Sequence, residues 1–371
     1  MTKTALVAVN LGQAEFEESF DELGLLAASA GAQVVLRFQV NRKAIDSATF
    51  IGSGKVQEIL LECEANEVEL VVFNHQLSPA QQRNLEQILG LTVLDRTGLI
   101  LDIFAIRAQS HEGKLQVELA QLEYLSSRLV RRHAGLSGQQ GGIGMRGPGE
   151  TQLETDRRLI GSRMVLLKSK LAKLQKQRQT QRKRRERTGQ FTVAIVGYTN
   201  AGKSTLFNTL ASGKAYTADQ LFATLDTTSR KVFLKPGVDM VLMDTVGFVR
   251  DLSHSLIEAF KATLETTVQA DLLLHVVDLS SPDRHAQIRE VNKVLADIDA
   301  GDIPQLVVWN KIDACAREPE VQAGDDGTIS SVFVSARHNK GLDMLRKAIA
   351  EFAESHYERS RNFQPDSLSD Y

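Results

Sequence analysis

The chain is short of cysteine, of long apolar runs and of net charge, and each shortage excludes a class of protein. Its two cysteines, Cys63 and Cys315, lie far apart, with neither a Cys-x-x-Cys spacing nor a His-rich neighbourhood. A disulfide framework or a zinc site is therefore not expected. No apolar run approaches the roughly 18 residues that a spanning helix needs. The segment Met1 to Asn10 carries only a short apolar stretch, and Glu15, Glu17 and Glu18 follow closely, which argues against a secretory signal. A reducing cytoplasm is the expected compartment. The formal net charge of -2 over 371 residues exerts no overall pull toward nucleic acid or membrane, so local charge must be read instead.

What is present is the composition of an ordinary globular protein, 42% hydrophobic and 24% charged, on a chain long enough for two or three domains. Thr4 to Leu11, Ala32 to Phe38, Glu69 to Asn74 and Leu91 to Leu94 read as strands. Helical patterns over Ala14 to Ala30, Ser53 to Asn66 and Ser78 to Leu89 lie between them, so an alternating βα domain with a largely parallel sheet is expected. Ser78-Pro79 is a cap residue followed by proline at the first helical position.

Leu115, Val117, Leu119, Leu122, Leu125 and Leu129 recur near a helical period, which predicts a long helix from Leu115 to Arg132. The glycine-rich stretch Gly135 to Gly149 cannot hold a helix. Helical spacing returns over Glu150 to Arg187, predicting two antiparallel helices joined by a glycine loop. From Lys168 onward the second helix carries ten basic residues, ending in Arg182, Lys183, Arg184, Arg185 and Arg187, against the single acid Glu186. A solvated face is the plain explanation of a charge run; the asymmetry of sign here favours a polyanionic surface.

The densest chemistry follows. Phe191 to Val196 is a buried-strand pattern running into Gly197-Tyr198-Thr199-Asn200-Ala201-Gly202-Lys203-Ser204, a G-x-x-x-x-G-K-S phosphate loop between a strand and a helix. Its amides can curl around phosphates, Lys203 can place a cation on the β and γ oxygens, and the Ser204 hydroxyl can ligate magnesium. Val241 to Gly247 is a strand ending in D-x-x-G, Asp244-Thr245-Val246-Gly247. Asp244 is expected to hold magnesium through water, and the Gly247 amide to face the γ-phosphate. Between them Phe222-Ala223-Thr224-Leu225-Asp226 occupies the place of a first switch loop, with Thr224 the candidate for a second hydroxyl on magnesium. Gln305 to Trp309 leads into Asn310-Lys311-Ile312-Asp313, an N-K-x-D motif. The Asp313 carboxylate can accept from guanine N1–H and the exocyclic amine, whereas adenine would leave it unpaired. Val332 to Val334 reads as a strand ending at Ser335-Ala336-Arg337, whose amides can reach guanine O6. Four motifs in this order predict a Ras-like P-loop domain that binds and hydrolyses GTP, with Lys203, Thr224 and Gly247 acting at the γ-phosphate.

Gly144-Met145-Arg146-Gly147-Pro148-Gly149-Glu150-Thr151-Gln152-Leu153-Glu154, Phe50-Ile51-Gly52-Ser53-Gly54-Lys55 and the Phe222 to Asp226 segment narrow this further. With them the whole chain resembles the HflX GTPases, a family related to the TrmE, Era and Obg groups. The resemblance implies binding to the large ribosomal subunit and its RNA, with a role in splitting or rescuing stalled ribosomes. It also implies a monovalent cation, K+, beside Asn200, for which loop stabilisation is the alternative. The competing expectation is a switch for a protein partner. A monomer is expected.

Some residues invite a sharper reading than they carry. Gly52 to Lys55 resembles a phosphate loop, yet Thr49 stands where its first glycine would be, and a turn capping the next helix is the preferred reading. In some members of the family the N-terminal domain is reported to use ATP. His275 reads as a core histidine and Trp309 as packing. Phe248 stands where Ras-like enzymes carry a water-orienting glutamine, so slow unaided turnover is expected. The expected domains are 1–110 (βα), 111–189 (helical hairpin), 190–355 (GTPase) and a polar tail over 356–371.

Overall fold

Four short β-branched runs near the N-terminus, each flanked by helices, form the first sheet. The computed structural model describes residues 1–12, 15–129, 148–186, 190–211, 221–222, 224–226, 228–236, 238–252, 256, 264, 267–324 and 327–362; side chains at 148–153, 178–186 and 359–362 lie outside that description. The chain divides into two compact units, Met1–Lys173 and Leu174–Tyr371.

In the first unit the elements are β1 (Lys3–Asn10), α1 (Phe16–Ser29), β2 (Gln33–Asn41), α2 (Ser53–Ala65), β3 (Leu70–Phe73), α3 (Pro79–Leu89), β4 (Thr92–Asp95), α4 (Arg96–Arg107), α5 (His111–Leu129) and the start of α6 (Pro148–Glu186). The strands are parallel in the order β2-β1-β3-β4. Ala5 to Val9 of β1 are fully buried, as a central parallel strand covered on both faces requires. One face packs on Val56 and Ile59 of α2 and Leu85 of α3. The Ser78-Pro79 start of α3 is a capping box, with Ser78 Oγ accepting from the Gln81 amide and Gln81 Oε1 from the Ser78 amide.

Helix α4 was not anticipated. Leu99, Ile100, Leu101, Ile103 and Phe104 are buried, and the exposed positions Asp102, Ala105 and Ile106 include only one polar residue, so no clear polar stripe makes the helix visible as a period. Its N-cap is Asp95, whose carboxylate accepts from the Gly98 amide at 2.8 Å. The same carboxylate, fully buried, also accepts from Leu77 N, from the Tyr124 hydroxyl at 2.8 Å and from Arg128 Nη2 at 2.5 Å. Two residues of α5 are thereby tied to the end of β4.

The helical middle region is present, with α5 starting at His111 instead of Leu115. Ion pairs Arg163–Glu118 and Lys168–Glu123 link α6 to α5, each joining residues 45 apart in the sequence. A constant separation does not follow the opposed numbering of an antiparallel hairpin; the loop that would reverse the chain, 130–147, lies outside the described residues. The unit boundary falls inside α6 and not at residue 189.

The second unit comprises β5 (Phe191–Gly197), α7 (Lys203–Leu210), β6 (Thr228–Lys235), β7 (Val238–Asp244), β8 (Leu272–Asp278), α8 (Arg284–Asp297), β9 (Gln305–Asn310), β10 (Val321–Ala323), β11 (Ile329–Phe333) and α9 (Leu342–Asn362). The sheet order is β10-β11-β9-β8-β5-β7-β6, antiparallel at β10·β11 and β6·β7 and parallel elsewhere. Its core includes Leu206, Phe207 and Leu210 of α7 and Leu345, Ile349 and Ala353 of α9. Helix α9 continues past residue 355, where the domain was expected to end, because His356 and Tyr357 pack against Phe191 and the Tyr357 hydroxyl accepts from the Phe191 amide. Strand β5 has β8 on one side and β7 on the other, so successive connections leave it in opposite directions. The crevice beyond the carboxyl end of such a strand is where open α/β sheets bind ligands.

Candidate functional site

A cleft of about 470 Å³ opens beyond the carboxyl end of β5. The phosphate loop follows β5 directly, and its glycines are dictated by sterics. Gly197 has φ 146, and a Cβ there would lie 2.2 Å from the Val276 carbonyl oxygen; Gly202 has φ 93, and a Cβ there would lie 2.2 Å from Asn310 Nδ2. Lys203 begins α7, is buried, and donates to the Tyr198 carbonyl at 2.7 Å. Burial pushes its ammonium down to about 8, opposed by the charge of Asp244. A buried lysine held by one carbonyl is poised for an anion.

Three oxygen-bearing side chains converge beside it. Ser204 Oγ and Thr224 Oγ1 are 2.7 Å apart, and Thr224 donates to Asp244 Oδ2 at 3.0 Å. Burial raises the Asp244 carboxyl above the ordinary range, opposed by hydrogen bonds from Ser204 and Thr224 and by the charge of Lys203. Asp244 Oδ1 is buried with no hydrogen-bond partner. A hard divalent cation, which prefers oxygen ligands, suits this set and would relieve the orphaned oxygen.

Gly247 closes the same corner: a Cβ built on it would fall 2.9 Å from Lys203 Nζ and 2.7 Å from Thr199 Cγ2. Phe248 turns away from the cleft. It is 2% exposed, its amide donates to Gly197 O, and its carbonyl accepts from the Thr199 amide at 2.7 Å. Its ring is core, and its backbone splices the D-x-x-G segment to the phosphate loop. The Tyr198 hydroxyl adds to this splice by accepting from the Arg250 amide at 2.8 Å, a contact no motif announces.

The base end is assembled from three segments. Asn310 Nδ2 donates to Ala201 O at 2.9 Å, and Asn310 Oδ1 accepts from the Ala336 amide at 3.0 Å, so this one side chain joins the phosphate loop to the Ser335-Ala336 corner. Asp313 Oδ1 accepts from Ser335 Oγ at 2.5 Å, and that bond holds the carboxyl below its ordinary range. Lys311 has φ 63 and pairs with Asp278 at 2.8 Å.

Of the residues expected here, Thr199, Asn200, Phe222, Thr245, Lys311 and Arg337 also line the cleft. Gly197, Tyr198, Ala201, Leu225, Asp226, Asp244, Val246, Ile312 and Ser335 are not among its lining residues; Leu225, Val246 and Ile312 are buried. Ala223 lies outside the described residues. Thr205 and Ala314 line the cleft unanticipated, each next in sequence to a residue of the motifs. His275 is core: it is 2% exposed and burial lowers it to about 4. Trp309 stacks on Phe333. The Gly52 segment is a closed turn, with Asp46 Oδ1 accepting from the Ala48 and Thr49 amides and Thr49 Oγ1 from the Gly52 amide.

A doubly flanked P-loop strand, a buried lysine, an oxygen donor set and an Asp–Ser–Asn base end define a P-loop GTPase. Residues 17–105 match the family model "GTP-binding GTPase N-terminal", 107–185 "GTP-binding GTPase Middle Region" and 192–311 "50S ribosome-binding GTPase". The chain is 48% identical over 350 residues to GTPase HflX of Escherichia coli (strain K12), covering 94% of this chain and 82% of that protein. It is 49% identical over 347 residues to GTPase HflX of Caldanaerobacter subterraneus, covering 94% and 79%. The crystal structure of the SsGBP and GDP complex is similar at 25% identity and TM-score 0.53, covering 96% of this chain and 99% of that one. The chain belongs to the HflX GTPase family: it binds guanine nucleotide and hydrolyses GTP. Among the described residues no helix is long and apolar enough to cross a membrane.

Proposed function

We propose that this GTPase turns over slowly alone and is stimulated on the large ribosomal subunit, in the cytoplasm and as a monomer, in the splitting or rescue of stalled ribosomes or in subunit maturation. The observation that carries slowness is Phe248, whose ring is buried and whose backbone is bonded to the phosphate loop, leaving no side chain there to orient water. The family model "50S ribosome-binding GTPase" over 192–311 supports the partner.

In this reading the phosphate-loop amides and Lys203 bind the β- and γ-phosphates, the Gly247 amide faces the γ-phosphate, and Asp313 with the Ser335-Ala336 corner reads guanine. Ser204 and Thr224, with Asp244 beside them, would hold a magnesium ion, which would supply further positive charge to the phosphates. Asn200, exposed at φ 61 and lining the cleft, is the residue that would hold K+ there, with loop stabilisation as its alternative role.

The test is GTP hydrolysis with and without large subunits, for the full chain and for a variant with Arg182, Lys183, Arg184 and Arg185 changed to Ala. Strong stimulation of the first and weak stimulation of the second is expected. Equal stimulation would place the activating contact elsewhere, and none at all would favour a protein partner. Running the same assay in potassium and in sodium tests Asn200; equal rates remove the cation from the reading.

A further inference from the structure

Thr199 enters the motif reading for its backbone, yet the structure gives its side chain a particular place. It is 6% exposed, lines the cleft, and has an Oγ1 that is occluded and without a hydrogen-bond partner. A Cβ on Gly247 would fall 2.7 Å from Thr199 Cγ2 and 3.1 Å from its Cα, with Lys203 Nζ 2.9 Å from the same point. The threonine therefore stands against the D-x-x-G glycine, beside the lysine, where the γ-phosphate end of the substrate goes. Its methyl faces that corner, and one step between staggered χ1 wells, about 120°, exchanges the methyl for the hydroxyl. A buried hydroxyl without a partner is unfavourable, so a substrate that offers partners favours the exchange.

The residue after D-x-x-G supplies no polar side chain to this corner. Phe248 is turned into the core, and its carbonyl is already bonded to the Thr199 amide. The loop is thereby pinned with the Thr199 side chain against Gly247.

We propose that the Thr199 hydroxyl is a catalytic residue of GTP hydrolysis, accepting a hydrogen bond from the attacking water and donating its own proton in a hydrogen bond to a γ-phosphate oxygen. The water oxygen forms a bond to Pγ as the bond from Pγ to the β–γ bridging oxygen breaks. The bridging electron pair leaves with GDP, the water proton ends on the released phosphate, and the threonine is unchanged. A hydroxyl suits this because it carries both a donor and lone pairs, whereas the buried Phe248 ring offers neither. The proposal rests on the reading of the cleft as the GTP site and adds the group that positions water in it.

The experiment compares wild type, Thr199→Val and Thr199→Ser in the full chain. It measures GTP turnover at saturating substrate, affinity for GDP, affinity for GDP with aluminium fluoride as a transition-state mimic, and thermal melting. Valine keeps the shape and removes the hydroxyl, so turnover should fall about tenfold or more and aluminium fluoride should cease to tighten GDP binding, while GDP affinity and melting stay near wild type. Serine should recover most of the rate. Thr199→Ala carries the same expectation should the valine variant melt early. Wild-type turnover in Thr199→Val, or equal slowness of the valine and serine variants, overturns the proposal. Failure of the wild type itself to bind guanine nucleotide would instead defeat the reading of the cleft.

Discussion

At the residue scale, single side chains are set by what surrounds them. In the proposed reading of the cleft Asp313 chooses the base, and Ser335 donates to it in a 2.5 Å hydrogen bond. Asp313→Asn removes a charge-assisted acceptor for two guanine donors, so GTP affinity should fall by roughly 3 kcal/mol, about a hundredfold, while xanthine nucleotide gains. Competition between the two nucleotides measures it, and an unchanged preference would take Asp313 out of the base contact. His275 illustrates the opposite case, a titratable group without chemistry. Burial lowers its folded pKa from the model-peptide 6.5 to about 4, so between those values the unfolded chain binds a proton that the folded chain refuses. Stability from this residue is complete above pH 6.5 and is lost as pH falls toward 4, about 2 kcal/mol by pH 5. Denaturant unfolding of His275→Asn at pH 7 and pH 5 should show a flatter acid limb; a loss equal to wild type would mean other groups control it.

At the element scale, the informative feature is the junction of β4, α4 and α5. Asp95 caps α4 and receives Tyr124 and Arg128 of α5, and Arg128 Nε also donates to Gln82 Oε1 of α3. Arg128 is the penultimate residue of α5, so the clasp fixes where the chain leaves for the glycine-rich stretch. Removing one partner of a buried pair leaves the other uncompensated, so Arg128→Ala should cost about 3 kcal/mol. The double variant with Asp95→Ala should cost less than the two single losses together. A denaturant double-mutant cycle tests this, and strict additivity would mean that the contact stabilises nothing. Helix α4 and the strands β6 and β10 went unrecognised in the sequence for related reasons. A helix whose outward side is itself largely apolar, as Ala105 and Ile106 make that of α4, shows no clear period, and β10, like β6, is defined by pairing with a neighbour more than by its own composition.

At the scale of the whole molecule, the boundary between the two units falls within α6, whose basic residues lie on both sides of it in the sequence. Lys168, Lys170, Lys173 and Lys176 are exposed, and Lys168 already pairs with Glu123. If the remaining run meets ribosomal RNA, binding should weaken linearly in the logarithm of salt concentration. Changing Arg182, Lys183, Arg184 and Arg185 to Ala should lower that slope by roughly 3. Sedimentation with large subunits across a salt series measures the slope, and an unchanged value would make the run a solvated helix face.

The candidate cleft was largely legible in the amino-acid order, because a phosphate loop, D-x-x-G and N-K-x-D each encode a local backbone geometry within a few neighbouring residues. The alternation of strands and helices in the first hundred residues was legible too, since burial of one face imposes a period. What only the tertiary structure decided are contacts between segments remote in sequence. Asn310 bridges Ala201 and Ala336, Arg128 closes on Asp95, and His356 and Tyr357 hold α9 to Phe191. Phe248 belongs to the same group: the sequence shows that a glutamine is missing, but only the pairing of its backbone with Gly197 and Thr199 turns its ring into the core and leaves the Thr199 side chain, methyl foremost, beside Gly247. Local patterns record what a residue and its neighbours can do; packing between distant segments decides which of those capacities face the substrate.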